Sequence, residues 1–410
     1  MSRSFDFLYD FSCPYAYLAS TQVEALAGRT QSELVAKPVL LGGVFRARQV
    51  AQNLAGTLSP AKAKHNVEDL HRWAELFDVP LRFPEGHPNR TVTALRCLLA
   101  VGEPFLPLSH RFFAAYWRDG ADLSDEAVVR RVLVEAGQDA DRVLARAQTA
   151  GIKEELWNRT TEGIDAGLFG VPGFVVDGKL YWGQDRMGQV EQALGGSVTR
   201  PTPANAWDGS TVSTDLWFDY SSPFAYLAAC RAEALFGAAL RWRPMLLGAV
   251  FKLVDAPNVP FFAMNDAKRA WITEDIQRQA RAANVVLEWP TGFPLRTVLP
   301  LRMTLLALEE DQARAAVLIR SIFTALWCEN QSPEDESLLA ELADRAGFDG
   351  MALVQESSSP RAKEELRKQT SEAVSAGVFG APGVVVNHPD GPALFWGNDR
   401  LELALDYARK

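Results

Sequence analysis

The start of the chain alternates apolar and polar positions and then changes to a helical period. FDFLYDF (5–11) has a period of two, which predicts a β-strand. CPYAYLASTQVEALA (13–27) predicts a helix, with Pro14 in its first turn, where a missing N–H costs nothing. ELVAKPVLL (33–41) predicts a second strand. The chain therefore begins with a strand, a helix and a strand.

The next part of the chain is mainly helical and ends in a hairpin. Apolar residues recur at helical spacing from about 45 to 165, as in VTALRCLLAV (92–101). GVPGFVVDG and KLYWG then predict two strands that turn at Asp177-Gly178. A last helix is predicted from about 185. This order of elements is the plan of a thioredoxin fold with an all-helical insertion.

The same order of patterns occurs twice along the chain. The first motif pair shares six of eight residues, the second shares seven of ten, and the third shares W-G-x-D-R. The pairs are SCPYAYLA (12–19) and SSPFAYLA (221–228), GLFGVPGFVV (167–176) and GVFGAPGVVV (377–386), and YWGQDRM (181–187) and FWGNDRL (395–401).

The repeat predicts an α/β protein with the thioredoxin-like fold and its all-helical insertion present twice in tandem. The first domain spans 1–196 with its insertion at about 45–165, and the second spans 214–410 with its insertion at about 252–375. Residues 197–213 are rich in Gly, Pro, Ser and Thr, which predicts a linker.

Composition excludes several classes of protein. The chain of 410 residues is 48% hydrophobic and 23% charged with a net charge of −9, as in ordinary globular proteins. It has no dense Lys/Arg block, no signal-peptide pattern and no apolar run long enough to span a membrane. We therefore expect a small-molecule substrate and neither nucleic acid nor a membrane as partner.

The four cysteines lie far apart, with no CxxC pair and no metal-ligand spacing. This favours a reducing, cytoplasmic location and no metal. Cys97, Cys230 and Cys328 lie in apolar helical stretches, so we expect buried core thiols there.

These motifs resemble those of a known family. Each copy is similar to the 2-hydroxychromene-2-carboxylate isomerases and the kappa-class glutathione transferases, in the DsbA-like branch of the thioredoxin superfamily. The resemblance extends over both copies apart from the linker. In the second copy it includes the serine-proline motif, the L-G-x-V-F-K motif, the F-G-[VA]-P turn and the W-G-x-D-R motif. The first copy has the same motifs in the same order, with Cys13 in place of the serine and Arg46 in place of the lysine.

The resemblance places the reacting sulfur at the start of the first helix. Unpaired N–H groups and the helix dipole favour negative charge there, which predicts a lowered thiolate pKa beside Cys13 or Ser222. In this family the serine activates the sulfur of glutathione, the cofactor that the resemblance implies. Val171-Pro172 and Ala381-Pro382 match the position of the cis-proline, whose preceding backbone pairs with the thiol peptide; the alternative is a plain turn before a strand.

The remaining glutathione contacts are also implied by the resemblance. Gln184-Asp185 and Asn398-Asp399 match residues at the γ-glutamyl end, although an aspartate there could equally cap a helix. Four residues match positions near the glycyl carboxylate, with a solvated surface as the alternative for the first-copy pair: Asn258 and Lys268, and more loosely Asn53 and Lys62.

Basic residues are the candidates for substrate contacts. Lys252 fits the family lysine near the substrate, and its counterpart Arg46 departs from that pattern because a forked guanidinium does not replace an ammonium group at a tight site. Arg296 and Arg90 could contact an acidic substrate or form surface salt bridges. We expect the tryptophans of the W-G-x-D-R motif to be core aromatics rather than substrate platforms.

The first copy departs from the family at Cys13. The run Cys13-Pro14-Tyr15-Ala16 has no resolving cysteine, so a local dithiol mechanism is excluded. Cys13 could form a mixed disulfide with glutathione, could replace serine, or could belong to a copy that serves as a scaffold.

The leading interpretation is a glutathione-dependent isomerase of an aromatic or conjugated enone carboxylate, with the second copy as the better candidate. The alternatives are a kappa-like glutathione transferase and a monothiol thiol-disulfide oxidoreductase at Cys13. Since related single-copy enzymes are dimers, the two copies would form an intramolecular pseudo-dimer, with a further homo-oligomer possible.

Overall fold

The computed structural model describes residues 3–197, 212–257 and 259–410. Within these ranges the chain forms two compact units. The first comprises residues 3–57, 66–197 and 265–271, and the second comprises residues 58–65, 212–257, 259–264 and 272–410. Residues 198–211, the greater part of the predicted linker, and Asn258 lie outside the described residues.

The sheet of the first unit has four strands in the order β2-β1-β3-β4. Strand β1 pairs in parallel with β2 and antiparallel with β3, which also pairs antiparallel with β4. A parallel pair needs a crossover connection, and the predicted first helix occupies it. The strands are β1 (Ser4–Tyr9), β2 (Glu33–Pro38), β3 (Gly173–Val176) and β4 (Lys179–Trp182).

The helices of the first copy include the predicted helical insertion between β2 and β3. They are α1 (Pro14–Ser20), α2 (Val23–Thr30), α3 (Leu41–Ala47), α4 (Pro60–Leu76), α5 (Val92–Val101), α6 (Leu106–Phe113), α7 (Glu126–Glu135), α8 (Ala140–Ala147), α9 (Ala150–Asp165) and α10 (Met187–Ala193).

The sheet of the second unit has the equivalent order β6-β5-β7-β8, with the same parallel and antiparallel pairs. Its strands are β5 (Ser213–Phe218), β6 (Leu240–Pro244), β7 (Gly383–His388) and β8 (Gly391–Trp396). The helices of the second copy are α11 (Pro223–Phe236), α12 (Leu247–Leu253), α13 (Pro260–Ala263), α14 (Asp266–Ala282), α15 (Val298–Glu310), α16 (Gln312–Trp327), α17 (Glu336–Arg345), α18 (Gly350–Ser357), α19 (Pro360–Ser375) and α20 (Leu401–Ala408).

The hairpin between β3 and β4 turns where the sequence predicted it. Asp177 and Gly178 have φ angles of 48° and 75°, the left-handed conformations that a tight two-residue hairpin turn requires. The predicted turn is therefore confirmed. None of the described helices is long and apolar enough to cross a membrane.

The single helix predicted over 13–27 is wrong, because the structure has two helices there. At the end of α1, Ser20 Oγ donates to Tyr17 O at 2.7 Å and Thr21 Oγ1 donates to Leu18 O at 2.8 Å. Hydroxyl groups bonded back to helix carbonyls compete with the helical ladder. The second copy has Ala229 at the position of Ser20, and α11 continues without a break.

Each unit includes a short segment from the sequence of the other copy. Residues 58–65, which include the first turn of α4, lie in the second unit, and residues 265–271, which include the first turn of α14, lie in the first. We call these stretches the exchanged segments. Their position differs from the division at 1–196 and 214–410, which keeps each segment with its own copy.

The predicted core thiols are only partly as expected. Cys97 is fully buried, which confirms the prediction for that residue. Cys230 is exposed and Cys328 is half-buried, so the prediction is wrong for these two. The apolar pattern of a helix identifies its core face only approximately, and Cys328 lies beyond the last residue of α16.

Candidate functional site

A buried aspartate supports the loop that carries Cys13. The Asp10 carboxylate accepts hydrogen bonds from Ser12 N at 2.9 Å, Leu41 N at 2.8 Å and Thr91 Oγ1 at 2.6 Å. Burial raises the pKa of Asp10, and these hydrogen bonds act in the opposite direction. The carboxylate thus connects the loop before α1 to the starts of α3 and α5.

The second unit repeats this arrangement. The Asp219 carboxylate accepts from Ser221 N at 2.9 Å, Leu247 N at 2.7 Å and Thr297 Oγ1 at 2.6 Å. Burial likewise raises its pKa. The loop before Ser222 is therefore fixed by the same kind of hydrogen-bond network as the loop before Cys13.

In each unit, the residue before the first helix contacts the loop that contains the proline of the F-G-[VA]-P motif. The Val171-Pro172 and Ala381-Pro382 peptide bonds are both cis. Cys13 Sγ donates to Val171 O at 3.1 Å, and Ser222 Oγ donates to Ala381 O at 3.0 Å. Each unit therefore holds a thiol or hydroxyl against the backbone of the residue that precedes a cis-proline.

For Cys13, the prediction of a lowered thiol pKa is wrong. The pKa of Cys13 is raised to about 12, mainly by burial and to a smaller extent by the nearby Asp10 carboxyl. The backbone N–H groups of Tyr15 and Ala16 favour the thiolate, as the helix start predicts, but they do not offset the loss of water. Cys13 is therefore a neutral thiol at physiological pH.

The Ser222 hydroxyl forms two hydrogen bonds, one as donor and one as acceptor, whereas the Cys13 thiol acts only as a donor. Its Oγ accepts from Ala225 N at 3.2 Å and so caps helix α11, while its proton goes to Ala381 O. Cys13 makes no side-chain capping hydrogen bond to α1. The serine is therefore the better oriented of the two groups.

Each W-G-x-D-R motif leaves buried polar atoms unpaired. In the first unit, Trp182 Nε1 and Gln184 Nε2 have no hydrogen-bond partner among the described residues. In the second, Trp396 Nε1 and Asn398 Oδ1 have none within the same described ranges. An unpaired buried polar atom is costly, so these four atoms are candidate contacts for a bound ligand.

The tryptophans also contact the turn before each cis-proline. A Cβ added at Gly170 would lie 3.0 Å from Trp182 Nε1, and one at Gly380 would lie 2.6 Å from Trp396 Nε1. A side chain at either glycine would displace the indole. Both tryptophans are half-buried, so they are not simply core aromatics, contrary to our expectation.

The aspartates of these motifs do not occupy helix N-cap positions. Asp185 and Asp399 lie in 3-10 turns, and the N-cap residues of α10 and α20 are Arg186 and Arg400. Each aspartate pairs with the following arginine, at 3.2 Å and 3.3 Å. The helix-cap alternative is therefore not what the structure shows.

The exchanged segment of residues 265–271 adds a cation and a ring to the first unit. Lys268 Nζ lies 5.3 Å from the centroid of the Trp182 ring, and burial lowers the pKa of Lys268. The Trp271 indole lies 5.5 Å from that of Trp182 and donates to Leu180 O at 3.2 Å.

The exchanged segment of residues 58–65 does the same in the second unit. Lys62 Nζ lies 4.8 Å from the centroid of the Trp396 ring. The buried His65 ring lies 5.4 Å from Phe379 and 6.4 Å from Trp396. Each lysine therefore lies with the W-G-x-D-R motif of the other copy, and the position of Trp271 is taken here by histidine.

The other predicted residues lie on the surface, and within the described part of the chain none contacts Cys13 or Ser222. Arg296 is 3.9 Å from Glu334, which fits the salt-bridge alternative, and Asn53 Oδ1 accepts from Gly56 N at 3.2 Å. Asn258 lies outside the described residues. The exposed candidates are Asn53, Arg46, Arg90, Lys252 and Arg296.

Sequence reasoning assigned no role to Asp10, Asp219, His65 or Trp271. The two aspartates had a usable signal, because each follows β1 or β5 and precedes the reactive position in both copies. The His65 and Trp271 rings had none, since their contacts join residues that are far apart in the chain.

Two surface cavities, of about 430 Å³ and 420 Å³, lie elsewhere. The first is lined mainly by charged residues of α9, and neither includes Cys13 or Ser222. In the described ranges no group of three or more His, Cys, Asp or Glu side chains is arranged to hold a metal ion.

Two mixed sheets, each with a helical insertion and a cis-proline facing a helix start, define a tandem thioredoxin-like protein. The family model of the DSBA-like thioredoxin domain matches residues 5–195 and again 214–408. The chain belongs to this family and contains its domain twice.

Single-domain enzymes are among the relatives. The chain is 31% identical over 191 residues to a 2-hydroxychromene-2-carboxylate isomerase of Pseudomonas putida, a match that covers 46% of this chain and 89% of the relative. A second such isomerase, from Sphingobium xenophagum, is 30% identical, with 47% and 99% covered. Human glutathione S-transferase kappa 1 is 25% identical, with 47% and 88% covered. Each relative thus corresponds to about half of the chain.

Proposed function

We propose that the chain is a glutathione-dependent isomerase of an aromatic or conjugated enone carboxylate, and that the second unit carries the main catalytic site. The observation that supports this most strongly is the hydrogen bond from Ser222 Oγ to Ala381 O, beside the cis Ala381-Pro382 bond. The similarity to two 2-hydroxychromene-2-carboxylate isomerases supports the reaction class.

The residues of the second unit fit a zwitterionic thiol peptide. The backbone of Ala381 would pair with its cysteinyl residue, and Asn398 with Asp399 would hold the charged γ-glutamyl end. Lys62, next to Trp396, offers a cation to a carboxylate. The unpaired Asn398 Oδ1 and Trp396 Nε1 supply one acceptor and one donor that need partners.

Glutathione, when bound, supplies a thiol that adds reversibly to a conjugated double bond and so permits rotation about the carbon–carbon bond. Ser222 would redirect its proton from Ala381 O to the sulfur and lower the pKa of that sulfur. Its orientation needs little change, because the hydrogen bond from Ala225 N already fixes Oγ. A charged donor near the substrate, with Lys252 and Arg296 as candidates, would stabilise charge that develops on the substrate oxygen.

The first unit would bind glutathione through the equivalent residues, Val171-Pro172, Gln184, Asp185 and Lys268. Its reactive position is weaker, because Cys13 is a neutral buried thiol without a resolving partner at Ala16. We therefore assign it a binding or supporting role ahead of monothiol redox chemistry. Arg46 and Arg90 are its counterparts of Lys252 and Arg296.

A kappa-like glutathione transferase is the second candidate function. It is supported by the similarity to human glutathione S-transferase kappa 1. The two reactions differ in the fate of glutathione. An isomerase releases it after each turnover, whereas a transferase leaves it on the product.

Calorimetric titration with reduced glutathione, combined with an isomerase assay on 2-hydroxychromene-2-carboxylate, tests the proposal. We expect saturable binding, turnover without loss of glutathione, and a large loss of turnover in Ser222→Ala but not in Cys13→Ser. Stoichiometric consumption of glutathione would move the chain to the transferase class. Absence of binding at millimolar glutathione would refute the dependence on this thiol.

A further inference from the structure

Two thiols of the second unit lie beside the hydroxyl of Tyr226, a residue of the SSPFAYLA motif for which no role has been given above. Tyr226 Oη lies 2.9 Å from Cys328 Sγ, and the Tyr226 hydroxyl lowers the pKa of the Cys230 thiol. Tyr226 Oη donates to Val286 O at 2.8 Å, and Cys328 Sγ lies 3.3 Å from the same oxygen. Both cysteines are therefore neighbours of the same tyrosine.

Regular structure holds both cysteines in place. Cys230 follows Tyr226 by one turn of α11, so their side chains share a face of the helix. Cys328 directly follows α16, whose last residue, Trp327, donates its indole N–H to Tyr220 O at 2.8 Å. The end of α16 is thus fixed beside the segment that leads into α11.

The first unit has the same framework without the thiols. Tyr17 Oη donates to Pro80 O at 2.9 Å, and Trp117 Nε1 donates to Phe11 O at 2.8 Å, as their counterparts do in the second unit. The positions that correspond to Cys230 and Cys328 hold Thr21 and Arg118. The fold therefore does not require a cysteine at either place, and the second copy has both together.

The two thiols are also the accessible ones. Cys230 is exposed and Cys328 is half-buried, whereas Cys13 and Cys97 are buried. An external disulfide can therefore reach Cys230 first, with Cys328 placed to attack afterwards. Burial raises the pKa of Cys230, so mildly alkaline conditions favour the reactive thiolate.

We propose that Cys230 and Cys328 form a dithiol site that small-molecule disulfides oxidise to an internal disulfide. The Cys230 thiolate attacks one sulfur of the external disulfide, forms a mixed disulfide and expels one thiolate. The Cys328 thiolate then attacks Cys230 Sγ, forms the Cys230–Cys328 bond and expels the second thiolate. Two protein thiols are oxidised, one external disulfide is reduced to two thiols, and the two protons pass to the two expelled thiolates.

The test uses the full chain with Cys13→Ser, which removes the thiol at the start of α1, and the disulfide of 2-mercaptoethanol as the oxidant. This probe has no γ-glutamyl or glycyl group, so the outcome does not depend on glutathione binding. After incubation of the folded protein at mildly alkaline pH, intact-mass spectrometry and peptide mapping identify the products. We expect loss of two hydrogen atoms and a peptide that joins Cys230 to Cys328.

Two further variants on this background separate the steps. Cys328→Ser should stop at one mercaptoethanol adduct on Cys230, and Cys230→Thr should remain unmodified at Cys328. Cys230→Thr copies Thr21 of the first unit, and circular dichroism checks that it folds. A Cys13→Ser protein that keeps both thiols reduced, or that joins Cys97 to either of them, would overturn the proposal.

Discussion

Lys62 lies over the Trp396 ring, with its ammonium nitrogen 4.8 Å from the ring centroid, although the two residues belong to different copies of the repeat. Lys268 and Trp182 form the equivalent pair at 5.3 Å. Each candidate site thus combines Cys13 or Ser222 and the cis-proline of one copy with a lysine of the other copy.

We expect Lys62 to contribute to glutathione binding at the Ser222 site and Lys268 to contribute at the Cys13 site. Loss of one cation that pairs with a carboxylate should weaken binding about 2- to 13-fold, because partly exposed charge pairs contribute about 0.5–1.5 kcal/mol. Calorimetry on Lys62→Met and Lys268→Met, each alone and combined with Ser222→Ala, measures this.

The combined variants decide which site each lysine serves. If Lys62 and Ser222 contact the same bound molecule, Lys62→Met and Ser222→Ala should weaken the same one of the two dissociation constants. Lys268→Met should instead weaken the other one. Effects of Lys62→Met and Ser222→Ala on two different dissociation constants would contradict the assignment.

Replacement of Ser222 should reduce turnover more than the matching replacement in the first unit. Ser222→Ala removes a hydrogen bond to a charged sulfur, which corresponds to a decrease in kcat/KM of about 10- to 100-fold. Steady-state isomerase kinetics check this, with Cys13→Ala as the matched variant.

Ser222→Cys makes a useful control, because it reproduces the first unit's residue. We expect it to lose most of the activity, since burial would keep the new thiol neutral. Activity equal to that of the unaltered protein would show that cysteine replaces serine without loss, and the ranking of the two units would no longer hold.

Cys13 should react slowly with alkylating reagents at neutral pH. Burial raises the pKa of Cys13 to about 12. At any pH below that value, raising the pH by one unit increases the thiolate fraction about tenfold. The pseudo-first-order rate of iodoacetamide labelling at Cys13, followed by peptide mass spectrometry from neutral to pH about 9.5, should increase in proportion. Cys230 is the internal reference, and a Cys13 rate that levels off below pH 8 would indicate a lowered pKa instead.

Asp219 should be important for stability as well as for the position of Ser222. Asp219→Ala would leave Ser221 N, Leu247 N and Thr297 Oγ1 without their acceptor, at a cost of roughly 3 kcal/mol or more. Asp219→Asn keeps one carbonyl oxygen and nearly the same volume, so it should cost less. Urea unfolding followed by tryptophan fluorescence compares them, and equal midpoints for Asp219→Ala and the unaltered protein would contradict the role.

The sequence predicted the features that depend on local pattern. Alternation and turn chemistry identified both sheets, the helical insertions and the hairpin at Asp177-Gly178. The break between α1 and α2 was missed because side-chain hydroxyls at Ser20 and Thr21 outweigh the helical periodicity. The sequence identified the motif residues of the candidate site, because the same motifs occur in both copies.

Features that depend on tertiary contacts could not be predicted. The start of a helix favours a thiolate at Cys13, but burial has the larger effect on its pKa, and burial is not visible in the motif. In the same way, no local pattern shows that Lys62 and His65 pack with Trp396. Surface positions such as Arg90 and Lys252 matched the family motifs, yet the structure leaves them exposed.

The exchanged segments have a consequence for how this protein can change. A single copy cut from the chain would keep its serine or cysteine and its cis-proline, but it would lack the lysine and the ring that the other copy contributes. A substitution within residues 58–65 alters the surroundings of Trp396, in the other half of the chain. Natural selection on either candidate site would therefore act on both halves at once, so the two copies could not change independently.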